Sequence, residues 1–292
     1  MSEGTLRWAR AIHALSHSST SNIYTRGPFT TEQLAKLGMP GVMTGGCPSY
    51  FTNPAPDLGR RVAQNWRTSS PPRFISVAGG HQAWGKIRHF EHQLIAMMMD
   101  PLTPGQYVVQ SMSDMMKISR GEFDLIEPPV LENIRRHTVP HYTLEEFKNW
   151  ARVYARSFYD VPAWMDSLRR HDLTIGSRYH GIALALQAER MGLTITIDSR
   201  TRELCENTMV PHIAAEDIKE PLTRMSLTKL VKFDPTAYDQ HRREAAGRYV
   251  AFLEANQIKP APFLRKIAAP RAAATQVPVS EPAAKKASKK DV

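Results

Sequence analysis

The stretch Asp172-Leu173-Thr174-Ile175-Gly176-Ser177-Arg178-Tyr179-His180-Gly181-Ile182-Ala183-Leu184-Ala185-Leu186-Gln187-Ala188, running on to Asp198-Ser199-Arg200, decides the fold. It predicts a short strand over 173–175, a tight turn carrying Arg178 and His180, and an Ala- and Leu-rich helix ending at Gly192. A second strand is expected over 193–197, and Asp198, Ser199 and Arg200 then lead into another helix, through Leu204. Two strand-to-helix turns, each with an arginine and a polar partner, thus lie one βα unit apart. In a parallel sheet both emerge at the carboxyl ends of the strands, where open α/β folds place their ligands.

The residues of the first turn suit an anion. Gly176 and Ser177 let the backbone turn sharply, and Ser177 is a candidate cap for the helix behind it. Free N–H groups at a helix start favour a phosphate or carboxylate. Arg178 adds a planar fork for two hydrogen bonds to such a group, and His180 is a residue type that exchanges protons near neutral pH. The same residues also fit a plainer account, in which Arg178 pairs with a structural carboxylate and His180 caps a helix. Asp198 is open in the same way, as a partner for a sugar hydroxyl or as a helix N-cap, and Ser199 and Arg200 share that ambiguity.

The run Gly176-Ser177-Arg178-Tyr179-His180-Gly181, its helix and the charged turn after the next strand resemble the C-terminal signature of the polysaccharide pyruvyl transferase family. Upstream, Tyr24-Thr25-Arg26-Gly27-Pro28-Phe29-Thr30, then Leu34 and Gly38, then Gly45-Gly46-Cys47-Pro48-Ser49 are similar to that family's mid-chain pattern. The resemblance implies a GT-B-like α/β fold with the active site between two Rossmann-like domains. It also implies transfer of the enolpyruvyl unit of phosphoenolpyruvate onto two hydroxyls of a sugar, as a ketal. By the same resemblance Arg178 and His180 contact the donor, Tyr179 contributes mainly backbone contacts, and Arg26 supplies a second clamp from the other domain. A donor with a carboxylate and a phosphate needs two cationic grips, and protonation of its methylene carbon makes His180 the candidate general acid.

Family members begin with a Rossmann-like half, whereas this chain opens on a helix-like segment at 6–15 and reaches Asn22-Ile23-Tyr24 almost at once. The expected organisation is therefore a truncated N-terminal α/β domain over 1–58, a linker over 59–72, a C-terminal Rossmann-like domain with a parallel sheet over 73–258, and a disordered basic tail over 259–292. Within the first unit a strand is expected at 23–25, a helix from Pro28 to 37 and a strand at 42–44. The four prolines between 52 and 72 read as the linker. Strands at 74–78, ending at Gly79-Gly80-His81, and at 107–110 follow, with helices at 86–99, near 113–118, at 144–159 and at 236–256. The Met97-Met98-Met99 run reads as core filler, and Phe147, Trp150, Ala151, Tyr154 and Phe158 as a buried aromatic face.

Composition narrows the classes. No segment has the ~18–20 apolar residues of a membrane span. Cys47 and Cys205 stand alone, without the spacing of a metal or disulfide framework, which points to a reducing, cytoplasmic setting. The pairs His89/His92 and His137/His141 lack the carboxylate partner of a zinc pattern, and no metal or other cofactor is expected. The formal net charge is +10, of which the tail from Arg271 to Val292, with five basic and two acidic residues, holds +3. Such a surface suits an anionic donor and an acidic polysaccharide precursor, lipid-linked or free, and leaves open attachment to the inner face of a membrane. No motif for specific nucleic-acid recognition is present. A homo-oligomer stays open. So do two other functions: a nucleotide-sugar glycosyltransferase of GT-B type, and a truncated, non-catalytic member of a polysaccharide assembly system.

Overall fold

The computed structural model describes residues 2–80, 85–110 and 113–269. Its first unit holds α1 (Glu3–His13), β1 (Tyr24–Thr25), α2 (Pro28–Lys36) and β2 (Met43–Thr44). β1 and β2 pair in parallel as a two-stranded sheet. Ala9, Leu34, Met39 and Val42 form a small core of its own there. Pro28 opens α2 as its composition predicts, since proline lacks the N–H that a first helical turn leaves unused.

The second unit alternates helices with strands. In chain order it comprises α3 (Leu58–Ser69), β3 (Ile75–Ala78), α4 (Arg88–Met98), β4 (Gln106–Val108), α5 (Ser113–Arg120), α6 (Pro128–Thr138), α7 (Leu144–Tyr154) and β5 (Ala155–Arg156). It continues through α8 (Val161–Leu168), β6 (Leu173–Gly176), α9 (Tyr179–Gln187), β7 (Met191–Thr196), α10 (Ser199–Glu206) and β8 (His212–Ala214). α11 (Arg224–Leu230), α12 (Pro235–Ala255) and α13 (Pro262–Ala268) close it. The six strands run parallel in the order β5-β4-β3-β6-β7-β8. Renumbered within the sheet this is 3-2-1-4-5-6, the Rossmann order, with its switch point between β3 and β6. Every residue of β3, β6 and β7 is buried, as strands covered by helices on both faces must be.

The segment expected as a linker is a helix. Leu58 and Val62 of α3, with Trp66 one turn on, pack into the main core, and the prolines flank the helix instead of interrupting it. Arg242 of α12, only 1% exposed, fastens the preceding segment by donating to the carbonyl oxygens of Tyr50 (3.0 Å), Ala55 (2.6 Å) and Asn53. Asp239 accepts from the N–H groups of Gly59 (2.6 Å) and Arg60 (3.3 Å), capping α3 from α12.

Other boundaries shift for identifiable reasons. α9 stops at Gln187, not Gly192, because Glu189 adopts φ 64° and the N–H groups of Glu189 and Arg190 close onto the carbonyls of Leu186 and Ala185. This is a Schellman stop with glutamate where glycine is usual, so the sequence carries no stop signal. Gly192 belongs to β7, where a Cβ would lie 2.8 Å from the Ile182 carbonyl oxygen. α7 ends at Tyr154 because the chain straightens into β5 beside β4, and Phe158 instead stacks on Trp164. Part of the expected tail is ordered, with Leu264 and Ile267 of α13 buried. His81 and the tail beyond residue 269 lie outside the described residues.

Gly176 shows how tightly the ends of β3 and β6 are held. Its φ is 152°, and a Cβ there would meet the Ala78 carbonyl oxygen at 2.2 Å. Gly176→Ala is expected to cost about 1–3 kcal/mol by urea unfolding. Gly247→Ala, where nothing lies within 4 Å on α12, should stabilise the protein by about 0.5–1 kcal/mol. Equal midpoints for the two variants would contradict this account of the β3–β6 contact.

Candidate active site

At the switch point the turns after β3 and β6 lie side by side. Gly79-Gly80 leaves β3, and Ser177-Arg178 leads from β6 into α9. The N–H of Gly80 donates to both carboxylate oxygens of Glu91, each at 3.2 Å. A Cβ on Gly80 would lie 2.6 Å from Glu91 Oε2 and 3.2 Å from Ser177 Oγ, so a larger residue would drive these groups apart. Glu91, 4% exposed, also accepts from the Tyr107 hydroxyl, and Nε2 of buried His137 stands 3.5 Å from it. Burial, then the Glu91 charge, pushes the Tyr107 phenol well up, so it stays a donor to that carboxylate.

Arg178 is half-buried. Burial lowers the affinity of its guanidinium for the proton, while Tyr107 and Glu91 oppose the shift electrostatically. Glu91 is thus the carboxylate behind Arg178, set on α4 far away in sequence. Ser177 does not cap α9. Arg178 occupies the N-cap position without a side-chain capping bond to the helix, and the N–H of Gly181 is taken by Gln110 Oε1 at 2.9 Å, from the loop after β4. Ser177 Oγ and Gln110 Nε2 are both buried, with no hydrogen-bond partner among the described residues. Buried donors left open around a helix N-terminus are the arrangement that an oxyanion completes.

His180, one position into α9 beyond Tyr179, is exposed. Its Nε2 lies 3.8 Å from Cys47 Sγ, which also accepts from Ser49 Oγ at 3.1 Å. Cys47 is 5% exposed and comes from the loop after β2. That loop can lie so close because it is small. A Cβ on Gly45 would overlap the Tyr24 hydroxyl, and Gly46, at φ 84°, sits against Thr208 and Asn207. Burial pushes the Cys47 thiol up, but hydrogen bonds from His180 and Ser49 and the charge of His180 outweigh it, bringing the thiol from 9.0 to about 7. Cys205 has only the Thr194 hydroxyl to set against its burial and is pushed up to about 12. Tyr179 is a packing residue, buried, with its hydroxyl on Thr208 Oγ1 at 2.9 Å.

Arg26 and Arg200 are not gathered at this point. They line a cavity of about 590 Å³ between α1, α2 and α10, with Trp8, Tyr24, Asn22 and Glu203 among its walls. Arg178, His180 and Cys47 do not line it, so the expectation that Arg26 and Arg178 face one another across one donor site differs from the geometry. Glu203 is engaged by the N–H of Phe29 at 2.6 Å. Asp198 takes the N-cap of α10, accepting from Thr201 N at 2.7 Å, with Ser199 as the first helical residue. Of the histidine pairs, His92 Nε2 lies 2.7 Å from the His137 carbonyl oxygen. Among the described residues no group of three or more His, Cys, Asp or Glu is placed to hold a metal. Nor is any helix among them long and apolar enough to cross a membrane.

Sequence reasoning reached Arg178, His180 and Arg26 but not Glu91, Gln110 or the role of Cys47 as a neighbour of His180. Cys47 stood inside a quoted motif, and only its distance from His180 in the chain hid the pairing. No curated protein and no solved structure matches the chain. The sequence model of the family described as polysaccharide pyruvyl transferase matches residues 4–199 of the 292, a span that takes in both Cys47 and His180. The chain, with its arginine and histidine at the switch point of a Rossmann-ordered sheet, belongs to the polysaccharide pyruvyl transferase family.

Proposed function

We propose that this chain is a transferase that moves the enolpyruvyl unit of phosphoenolpyruvate onto two hydroxyls of a sugar in a surface or exported polysaccharide, forming a ketal. The observation that carries the reading is the start of α9. There Arg178, the open donors Ser177 Oγ and Gln110 Nε2, and the exposed His180 converge at the switch point of the sheet. Arg178 and the helix N-terminus hold the donor's anionic groups, and Glu91 with Tyr107 and Gly80 fixes the floor beneath them. His180 gives a proton to the methylene carbon, leaving positive charge at the neighbouring carbon for the sugar hydroxyl to attack.

The cavity between Arg26 and Arg200 is the candidate acceptor site in this reading. Its aromatic and hydroxyl-bearing walls suit a sugar, and its arginines suit an acidic or phosphate-linked one. Tyr24, in that wall, touches Gly45 of the loop that carries Cys47, so the cavity adjoins the reacting centre. A GT-B-like pairing of two Rossmann-like units, and work in the cytoplasm at the inner face of a membrane on a lipid-linked precursor, belong to the same reading.

Calorimetric titration with phosphoenolpyruvate tests it. Arg178→Ala should weaken binding by about 10–100-fold, the worth of charge-assisted hydrogen bonds of about 1.5–3 kcal/mol. The Rossmann strand order and the Gly79-Gly80 turn also fit a nucleotide-sugar donor. Binding of a nucleoside diphosphate in place of phosphoenolpyruvate would therefore move the function to a glycosyltransferase. Binding of neither would leave a non-catalytic member of the family.

A further inference from the structure

We propose that Cys47 is the proton-relay partner of His180. Its thiol, held beneath the imidazole, supplies and takes back the proton that His180 exchanges with the substrates. The chemistry rests on the pyruvyl-transfer reading, and the pairing rests on geometry alone.

Three features of the structure point to the pair. Cys47 Sγ and His180 Nε2 stand 3.8 Å apart across 133 residues of chain, brought together by a loop whose two glycines admit no larger residue without displacing its neighbours. The thiol is buried while the imidazole against it is exposed. Finally, Ser49 donates to the sulfur, an arrangement that stabilises a thiolate more than a thiol. The other titratable groups acting on Cys47 are the phenols of Tyr24 and Tyr179. Burial pushes both well up, so they stay neutral beside the sulfur. A thiol near 7 gives up and regains a proton at neutral pH at little cost.

The ring engages Cys47 through Nε2, which leaves Nδ1 for the substrates. In the forward step the Nδ1–H bond breaks and a C–H bond forms at the methylene carbon of phosphoenolpyruvate. At the same time the S–H bond of Cys47 breaks and its proton moves to Nε2, leaving a thiolate and a neutral ring. The first sugar hydroxyl then bonds to the adjacent carbon. Its proton passes to Nδ1, and the Nε2 proton returns to sulfur. Phosphate departs with the electrons of its C–O bond, the second hydroxyl adds, and its proton leaves on the phosphate. Thiol and imidazole end as they began. Cys47 acts through His180 and does not touch the donor.

The first test needs no substrate. Thiolate ultraviolet absorbance, read as the difference between the wild-type chain and Cys47→Ser, should show a midpoint near 7. In His180→Ala the midpoint should rise to the ordinary thiol value of 9.0 or above, because burial then acts with less opposition. Cys205 titrates too high to interfere. A midpoint unmoved by His180→Ala overturns the pair. The second test measures phosphate release from phosphoenolpyruvate over a panel of sugar acceptors. Serine keeps a hydrogen-bonding group at position 47 but forms no anion. Cys47→Ser should bind phosphoenolpyruvate as the wild type does and turn over about 10–100-fold more slowly, with the pH dependence of turnover altered. Wild-type turnover and pH profile in Cys47→Ser overturn the relay. Should the wild-type chain itself bind no phosphoenolpyruvate, the functional reading fails and the relay fails with it, whereas a pair sensitive to His180→Ala would still stand as a thiol–imidazole site.

Discussion

His180→Ala is expected to lower turnover of phosphoenolpyruvate by about 10²–10⁴-fold while leaving the melting temperature unchanged. The size follows from the role. A positioned acid lowers the barrier to protonating carbon, and no other exposed imidazole stands at the start of α9 among the described residues. Stability should survive because the ring is exposed and rests only lightly against the Cys47 sulfur and the edge of Tyr179 at 5.4 Å. The variant should also bind phosphoenolpyruvate with near wild-type affinity, since Arg178 and the α9 N-terminus are untouched. Loss of turnover with retained binding separates a proton donor from an anion ligand. Unchanged turnover would remove His180 from the chemistry altogether, and lost binding would recast it as a second anion grip.

Arg242→Met is expected to destabilise the fold by about 3–5 kcal/mol in urea unfolding, the largest stability effect of any single change proposed for this chain. Methionine keeps much of the volume but none of the donors. The carbonyls of Tyr50, Asn53 and Ala55 would lose their charged partner inside a closed environment, each at about 1–3 kcal/mol. The burden is not local to α12. Residues 50–55 follow directly on the loop that carries Cys47, so loosening them should also blur the approach of Cys47 to His180. A loss below about 1 kcal/mol would mean that water replaces the guanidinium at little cost and that α12 is held by its apolar face alone.

The elements nearest the site were legible because their signals are short-range. Alternation of apolar strand and Ala/Leu helix around Gly176-Ser177-Arg178 set out β6, α9 and β7 as neighbours in a parallel sheet, and Pro28 marked the start of α2. Boundaries failed where a local signal was absent or misleading. Glu189 ends α9 in a conformation that usually announces itself with glycine. The prolines around 52–72 mimic a linker because they cluster at the two ends of α3, while Leu58, Val62 and Trp66 at helical spacing between them pack into the core.

By itself the sequence determined the α/β class, the strand–turn–helix at Arg178 and His180, and the membership that those motifs signal, since periodicity and turn chemistry act over a few residues. Only the tertiary structure decided which distant groups meet there. Glu91 beneath the Gly80 turn, Gln110 at the α9 N-terminus, Cys47 against His180, and Arg26 grouped with Arg200 in a separate cavity all depend on the order of the strands and the packing of helices across them. Those placements are set by packing and hydrogen bonding between elements remote in sequence, a condition that no local stretch of residues encodes.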